Sequence, residues 1–443
     1  MTVSLLTDQY ELTMLDAALE DGTATRDCVF EVFARRLPAG RRYGVVAGTG
    51  RLLEDLPDFR FDEADLGFLA SAGIVRPAAI DYLAAYRFRG DIRGYPEGET
   101  YFPGSPILTV HGTFADAVLL ETLALSILNH DSSVASAASR MTMAAGGRPC
   151  LEMGARRTHE WSAVAAARAA YVAGFAGTSV LEAGRRWGIP TIGTAAHAFT
   201  LVHDSEADAF IAQIAAQGLG TTLLTDTFDV EEAVRTAVRV AGPKLACVRI
   251  DSGDLAAVAS EVRGLLDSLG NTDTKITVTN DLDEYAIAGL AAAPVDSYGV
   301  GTRLVTGSGA PTAEMVYKLV ARSDASGQLR PVAKRVGGKG TLGGAKWAGR
   351  RVDDAGTAAE EIVITGSGPR PVAPDDYGVR PLEVDLVLGG EVQPGWTGAD
   401  GLARARERHA ASVAELPRDA HRLSAGEPAI PTVVTSHLEL AGA

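Results

Sequence analysis

Cysteine is scarce: Cys28, Cys150 and Cys247 are the only three in 443 residues. They are widely spaced and no CxxC occurs, so no disulfide framework is expected, and two of the thiols, in apolar or mixed runs, are read as reduced and structural. Positive charge is short as well, with 41 Lys and Arg against 56 Asp and Glu, a net of -15. That excludes a bulk nucleic-acid surface, which needs a positive footprint, but not small anions held by a local arginine cluster. No run reaches 18 apolar residues, and the first residues lack a basic region followed by a long apolar stretch. Neither a membrane partner nor a signal peptide is therefore expected, and a cytoplasmic location is. What is plentiful is apolar residues, 46% of the chain, enough for two domains or one large barrel with additions.

Periodicity predicts a helix over residues 5–19, with Thr7 as its cap and Leu12, Leu15 and Leu19 on one face. Tyr10 there is either a core tyrosine or a ring that reaches a ligand. A strand is expected at 29–33 and short helices at 45–53, 64–71 and 78–85; a turn-rich β segment leads to the apolar run 107–110. A long helical region follows over 113–140. Asn129, His130 and Ser132 interrupt its apolar face, as a kink or a polar patch would. Arg156 and Arg157 precede a helix from Trp161, where the positive end of the dipole disfavours cations. A bound anion or a salt-bridged surface pair would each explain them.

From there the chain beats regularly. Apolar runs at 172–175, 189–192, 221–224, 245–248, 276–278 and 295–298 each end in polar residues, and helical segments fill the gaps. Six such beats fit an α/β barrel with its chemistry at the C-terminal strand ends, and equally an open doubly wound sheet. After Gly301 the pattern loosens, with strands expected near 315–320, 360–365 and 382–392, a charged helix at 401–416, and a tail from 433. The expected boundaries are 1–110 and 346–443 for an accessory domain made from both chain ends, and 111–345 for the barrel.

One strand end organises the rest: Arg249-Ile250-Asp251-Ser252-Gly253-Asp254. Arg249 offers a planar fork for carboxylate or phosphate, and Asp251 and Asp254 offer oxygens. The plainer alternative is a junction in which Ser252 and Asp254 cap the next helix. In register, the strand ends would assemble His197, Asp226, Arg249, Asp251, Asn280 and 299–303. Gly299-Val300-Gly301-Thr302 has backbone donors suited to phosphate. A P-loop lysine is absent, since Gly340 follows Lys339, and so is the dinucleotide fingerprint. His197 follows a small Gly-Thr-Ala-Ala, as an acid/base or a nucleophile for phosphoryl groups would, or else as an ordinary hydrogen-bonded histidine. His203 lies six residues on, which is poor zinc-ligand spacing, so no protein-held metal is expected.

These motifs, in this order, resemble those of the nicotinate phosphoribosyltransferases, most of all the actinobacterial ones. They include Leu6-Thr7-Asp8-Gln9-Tyr10, Phe30-Glu31-Val32-Phe33, Gly154-Ala155-Arg156-Arg157, Gly177-Thr178-Ser179, Gly193-Thr194-Ala195-Ala196-His197, Thr225-Asp226-Thr227 and Tyr298-Gly299-Val300-Gly301-Thr302. The resemblance implies an irregular α/β barrel plus an α/β sandwich. It implies transfer of phosphoribosyl from 5-phosphoribosyl 1-pyrophosphate to nicotinate, coupled to ATP through a phosphohistidine, with Mg²⁺ carried on the pyrophosphate. His197 matches that histidine, and Arg249 the arginine near the nicotinate carboxylate. Tyr10 matches a tyrosine that stacks on the pyridine from the neighbouring subunit of a homodimer. Arg157, Thr178 and Ser179 match the phosphoribosyl site, Asp251 the ribose hydroxyls, and Gly299, Gly301 and Thr302 the phosphate; Asp226 and Ser252 complete the substrate-binding set. Val180 stands where many relatives have Asn, Val336 where Ser is frequent, and Gly343-Gly344 where Pro-Gly is common. A sister enzyme acting on nicotinamide or quinolinate is the nearest alternative, and a sugar-phosphate binder without catalysis the next.

Overall fold

The computed structural model describes residues 3–334, 342–366, 368–371 and 378–436. They form two compact units: Ala137–Gly309, and the described residues up to Ser136 together with those from Ala310 onward.

In the 137–309 unit, six parallel strands lie in the order Gly177–Thr178, Cys150–Glu152, Ser297–Val300, Lys275–Val278, Cys247–Ile250, Thr222–Leu224. Their interior positions are apolar and buried, Leu223, Val248, Ile250, Ile276 and Val278 among them. Hydrogen-bonded register places Leu224 beside Arg249 and Arg249 beside Thr277, so consecutive strands end together. Helices with side-chain caps follow: Asp229 caps Val230–Ala241, Asp254 caps Leu255–Ser268, and Asp283 caps Glu284–Gly289. The sheet is an irregular half-barrel. Thr191 joins one edge by a single bridge to Thr178, and no described strand links it to Thr222–Leu224 at the other edge.

Two of the expected beats differ. Residues 172–175 close the helix Glu160–Val172, and the strand is the two-residue Gly177–Thr178. Residues 189–192 supply only the bridge at Thr191. A strand with no apolar run, Cys150–Glu152, takes a central place instead. It is recruited by pairing on both sides, with Leu151 opposite Gly177 and Gly299.

The other unit interleaves the two ends of the chain. Its seven-stranded antiparallel sheet runs Leu329–Pro331, Met315–Ser323, Asp27–Ala34, Leu108–Thr113, Asp91–Gly94, Val384–Leu388, Glu391–Val392. A four-stranded sheet runs Arg380–Pro381, Ala345–Val352, Ala358–Gly366, Thr432–Ser436. Strand pairing explains why 111–136 and the described residues of 310–345 count with the chain ends: Asp27–Ala34 is flanked by Leu108–Thr113 and Met315–Ser323. Buried charges join elements distant in sequence: Lys346 donates to Glu31, and Arg350 to Glu99 and Glu361. The first helix begins at Gln9 because Asp8, not Thr7, receives the Tyr10 N–H; the Thr7 hydroxyl turns to Glu11. The helix Glu121–Ala144 runs through Asn129 without a break. Asn129 is the polar-patch case: its amide accepts from Met315 N and Thr312 Oγ1 and donates to Met315 O. Among the described residues no helix is long and apolar enough to cross a membrane.

Candidate active site

Strand Cys247–Ile250 buries Val248 and Ile250 and leaves Arg249 half-buried on the alternate face. The chain then turns polar. Asp254 accepts from Ala256 N and Ala257 N at 3.2 and 3.3 Å, so the capping expectation holds for Asp254. Ser252 does something else: its hydroxyl donates to Asp226 Oδ2 at 2.7 Å, where the Asp251 N–H also donates at 2.9 Å. Asp226 thus ties its own strand end to the next one.

The other Asp226 oxygen, Oδ1, is buried without a hydrogen-bond partner and stands 3.9 Å from His197 Nε2. On the far side of the ring, His197 Nδ1 is 3.1 Å from Thr227 Oγ1. Residues 226 and 227 therefore bracket an imidazole that is itself 42% exposed and open to a ligand. Three residues before it, the Thr194 hydroxyl accepts from Arg249 Nη1. Segment 194–197 and Asp226 so bring the imidazole and the guanidinium to one rim. Arg249 Nε is buried with no partner. Burial pushes the guanidinium pKa down and Arg156 adds to this, against Asp251 and Asp226. A half-buried cation with a spare donor suits a planar carboxylate, which offers two acceptors to its fork.

Beside this rim opens a cleft of ≈ 180 Å³ lined by Met153, Arg156, Arg157, Arg249, Asp251, Thr279, Asn280, Asp281, Gly299, Gly301 and Thr302. Asp251 is held by the Thr279 hydroxyl at 2.5 Å. Asn280 has φ 110°, a strained conformation of the kind that collects at ligand sites. At Gly299 a Cβ would lie 2.5 Å from Thr279 Cγ2 and 2.7 Å from Met153 Sδ, so only glycine lets the strands approach there.

Of the residues expected from sequence, His197, Asp226, Arg249, Asp251 and Ser252 form one connected set. Arg157, Gly299, Gly301 and Thr302 share the cleft with Arg249 and Asp251. Arg156 and Arg157 lie on the 3-10 turn Ala155–Arg157, and His159, not an arginine, caps the helix that follows. Ser179 is half-buried with its N–H on Glu152 O at 2.9 Å. Thr178 is buried, and its hydroxyl donates to Glu152 Oε2. Val180 occupies the cap position of Leu181–Trp187 with no side-chain cap, the bond an Asn there would make. Tyr10 belongs to the other unit, 41% exposed, with Glu121 beside its hydroxyl; partial burial and that carboxylate raise its pKa. Val336, and Lys339 with Gly340, lie outside the described residues. Sequence reasoning missed Thr194, Thr227, Thr279 and Glu152. The first two sat inside motifs already singled out, and their hydroxyls were the available signal.

A half-barrel whose strand ends gather a histidine, an arginine and carboxylates over a polar cleft, in a chain that also folds a sandwich from its two ends, is a phosphoribosyltransferase type of architecture. Comparison makes this specific. Residues 5–129 match the nicotinate phosphoribosyltransferase (NAPRTase) N-terminal domain. Nicotinate phosphoribosyltransferase pncB1 of Mycobacterium tuberculosis is 57% identical over 436 residues, covering 97% of this chain and 94% of that one. The human nicotinic acid phosphoribosyltransferase structure superposes with a TM-score of 0.79 at 27% identity, covering 98% of each chain. A nicotinate-nucleotide pyrophosphorylase from Pyrococcus furiosus has the same fold, with TM-score 0.75 at 24% identity over 92% of this chain and 94% of that one. The chain belongs to the nicotinate phosphoribosyltransferase family.

Proposed function

We propose that this chain joins nicotinate to 5-phosphoribosyl 1-pyrophosphate and couples the step to ATP cleavage at His197. The observation that carries the reading is the shared rim: Asp226 lies against His197 and holds the Asp251–Ser252 loop, and Thr194 holds Arg249. In the transfer, the ribose C1–O bond to pyrophosphate breaks and the pyridine nitrogen forms the new C1–N bond, giving nicotinate mononucleotide and pyrophosphate. Arg249 receives the nicotinate carboxylate. Asp251, fixed by Thr279, faces the ribose hydroxyls and favours the positive charge that develops on the sugar. Arg157, Gly299, Gly301 and Thr302 take the phosphate groups. The buried oxygen of Asp226 without a partner and the donors of Arg156 and Arg157 suit a phosphate-rich substrate carried with Mg²⁺, which neutralises leaving-group charge when bound.

In the coupled half-reaction, a ring nitrogen of His197 takes the terminal phosphoryl group as ADP leaves, and water later returns phosphate. Asp226 and Thr227 hold the ring, Asp226 favouring the positive charge that ring gains. ATP cleavage acts on transfer through differential affinity and forms no bond in the mononucleotide. We further propose a cytoplasmic homodimer in which Tyr10 of one copy stacks on the pyridine bound by the other, an arrangement suited to a ring left 41% exposed.

The experiment is incubation with phosphoribosyl pyrophosphate, ATP and nicotinate, nicotinamide or quinolinate in parallel. Nicotinate mononucleotide with pyrophosphate and ADP is the expected outcome. Turnover of either other pyridine but not of nicotinate would assign the site to a sister reaction, and no pyrophosphate from any would leave a binding protein.

A further inference from the structure

Arg156 and Arg157 are exposed, and neither has an ion-pair partner among the described residues. They sit on a single 3-10 turn closed by one backbone bond, Arg157 N to Gly154 O at 2.8 Å. Two unpaired cations on so short a turn repel each other and gain little from the turn itself. Something beneath must fix it.

That something is Glu152, the last residue of Cys150–Glu152 and fully buried. Its Oε1 accepts the Gly154 N–H and its Oε2 the Thr178 hydroxyl, both at 2.5 Å. Thr178 Oγ1 in turn accepts the Val180 N–H at 3.0 Å, which shapes the loop holding Ser179. Gly154 is wedged: a Cβ there would collide with Val305 Cγ1 and lie 3.1 Å from Glu152 Oε1. The carboxylate has no ion-pair partner among the described residues, and burial raises its pKa against the hydrogen bonds it accepts. A lone buried carboxyl is costly to keep for stability alone. It faces two donors at once, the Gly154 N–H and the Thr178 hydroxyl, and a carboxylate accepts from both. A glutamine has one acceptor oxygen: kept on the Gly154 N–H, it turns its NH₂ to Thr178, whose hydroxyl then loses its acceptor.

We propose that Glu152 is a positioning residue for the phosphate-binding wall, setting the Arg156–Arg157 turn and the Thr178–Ser179 segment in one register. The inference rests on the substrate assigned above. It is distinct from substrate contact, because the side chain is sealed from the cleft.

The test is Glu152→Gln in the full chain, with KM measured for phosphoribosyl pyrophosphate and nicotinate, and ³²P transfer from ATP to His197 followed separately. Losing one of two hydrogen bonds should raise the phosphoribosyl pyrophosphate KM roughly tenfold, and leave the nicotinate KM and the labelling within about twofold. Thr178→Val removes the Thr178 arm together with the bond its hydroxyl takes from Val180 N–H, leaves the Gly154 arm, and should raise the same KM about threefold or more. Calorimetric titration with inorganic pyrophosphate should weaken in step. Equal rises in every KM, or unchanged pyrophosphate affinity, would overturn the proposal. If Glu152→Gln fails to fold by thermal melt, Thr178→Val decides by the same split. If the wild-type chain makes no mononucleotide, the substrate assignment falls, and the pyrophosphate titration alone decides what Glu152 does.

Discussion

Arg350 and Arg249 are two arginines drawn out of water, one in each compact unit, and their surroundings differ. Arg350 is fully buried between Glu99 and Glu361, with Thr100 and Ser412 taking further donors. Those carboxylates outweigh burial and hold its pKa above the usual value. Arg249 has one hydroxyl partner and a pKa pushed down by burial, and its Nε, like that of Arg350, is buried without a partner. The first cation is provided for by the fold, by Glu361 across a strand pair and by Glu99, which lies far away in sequence. The second is left short of acceptors. Incomplete satisfaction at a rim marks a binding group, because the fold gains little there unless a ligand supplies what is missing.

Four substitutions break or sharpen that contrast. The largest effect is expected at His197→Asn, which should cut ATP cleavage by about a thousandfold or more while weak ATP-independent transfer persists. Both rates measured in one preparation decide it; unchanged ATP cleavage refutes the nucleophile. Next, Arg350→Ala strands the buried Glu361 carboxylate, leaves Glu99 to Arg380 alone, and should cost about 3–5 kcal/mol in denaturant unfolding. Arg249→Ala should leave unfolding within about 0.5 kcal/mol and raise the nicotinate KM about a hundredfold, with the ATP KM unmoved. If the two arginine variants lose stability equally, the contrast is wrong.

The smallest effect lies in the sandwich. Burial pushes the Glu383 carboxyl from about 4.5 up to about 8, with Arg93 and Lys346 opposing and Glu31 adding to the rise. The folded chain therefore holds a proton that the unfolded chain has released between those values. Its contribution to stability is full below about pH 4.5 and is lost as pH rises toward 8. Glu383→Gln should flatten that part of the melting-temperature profile, which thermal melts across the range would show; an unchanged slope assigns the proton elsewhere.

Much of this was legible because the strand ends carry their chemistry within a few residues of an apolar run. The stretch 249–254 and His197 after Gly193 could be picked out in that way, and the helices with Asp caps followed their periodicity. Other parts depend on pairing that no local pattern encodes. Cys150–Glu152 has three residues and no apolar run, yet neighbours on both sides make it a strand. Residues 189–192 have the run but too few partners, and give one bridge. Glu152 was invisible for the same reason, since its meaning lies in Gly154 and Thr178, brought to it by the turn and the adjoining strand. Arg350 lies in no strand expected from sequence, because Ala345–Val352 is made a strand by pairing with Ala358–Gly366 and Arg380–Pro381.

The most direct test of the shared rim is the fate of phosphoenzyme. The chain is labelled with [γ-³²P]ATP, freed of nucleotide, and mixed with phosphoribosyl pyrophosphate and nicotinate while label and mononucleotide are counted together. The expected result is label on His197, lost as phosphate at the rate mononucleotide appears, and in Arg249→Ala equal labelling with slow discharge at the same nicotinate concentration. Label on another residue, or discharge indifferent to both substrates, would contradict the account.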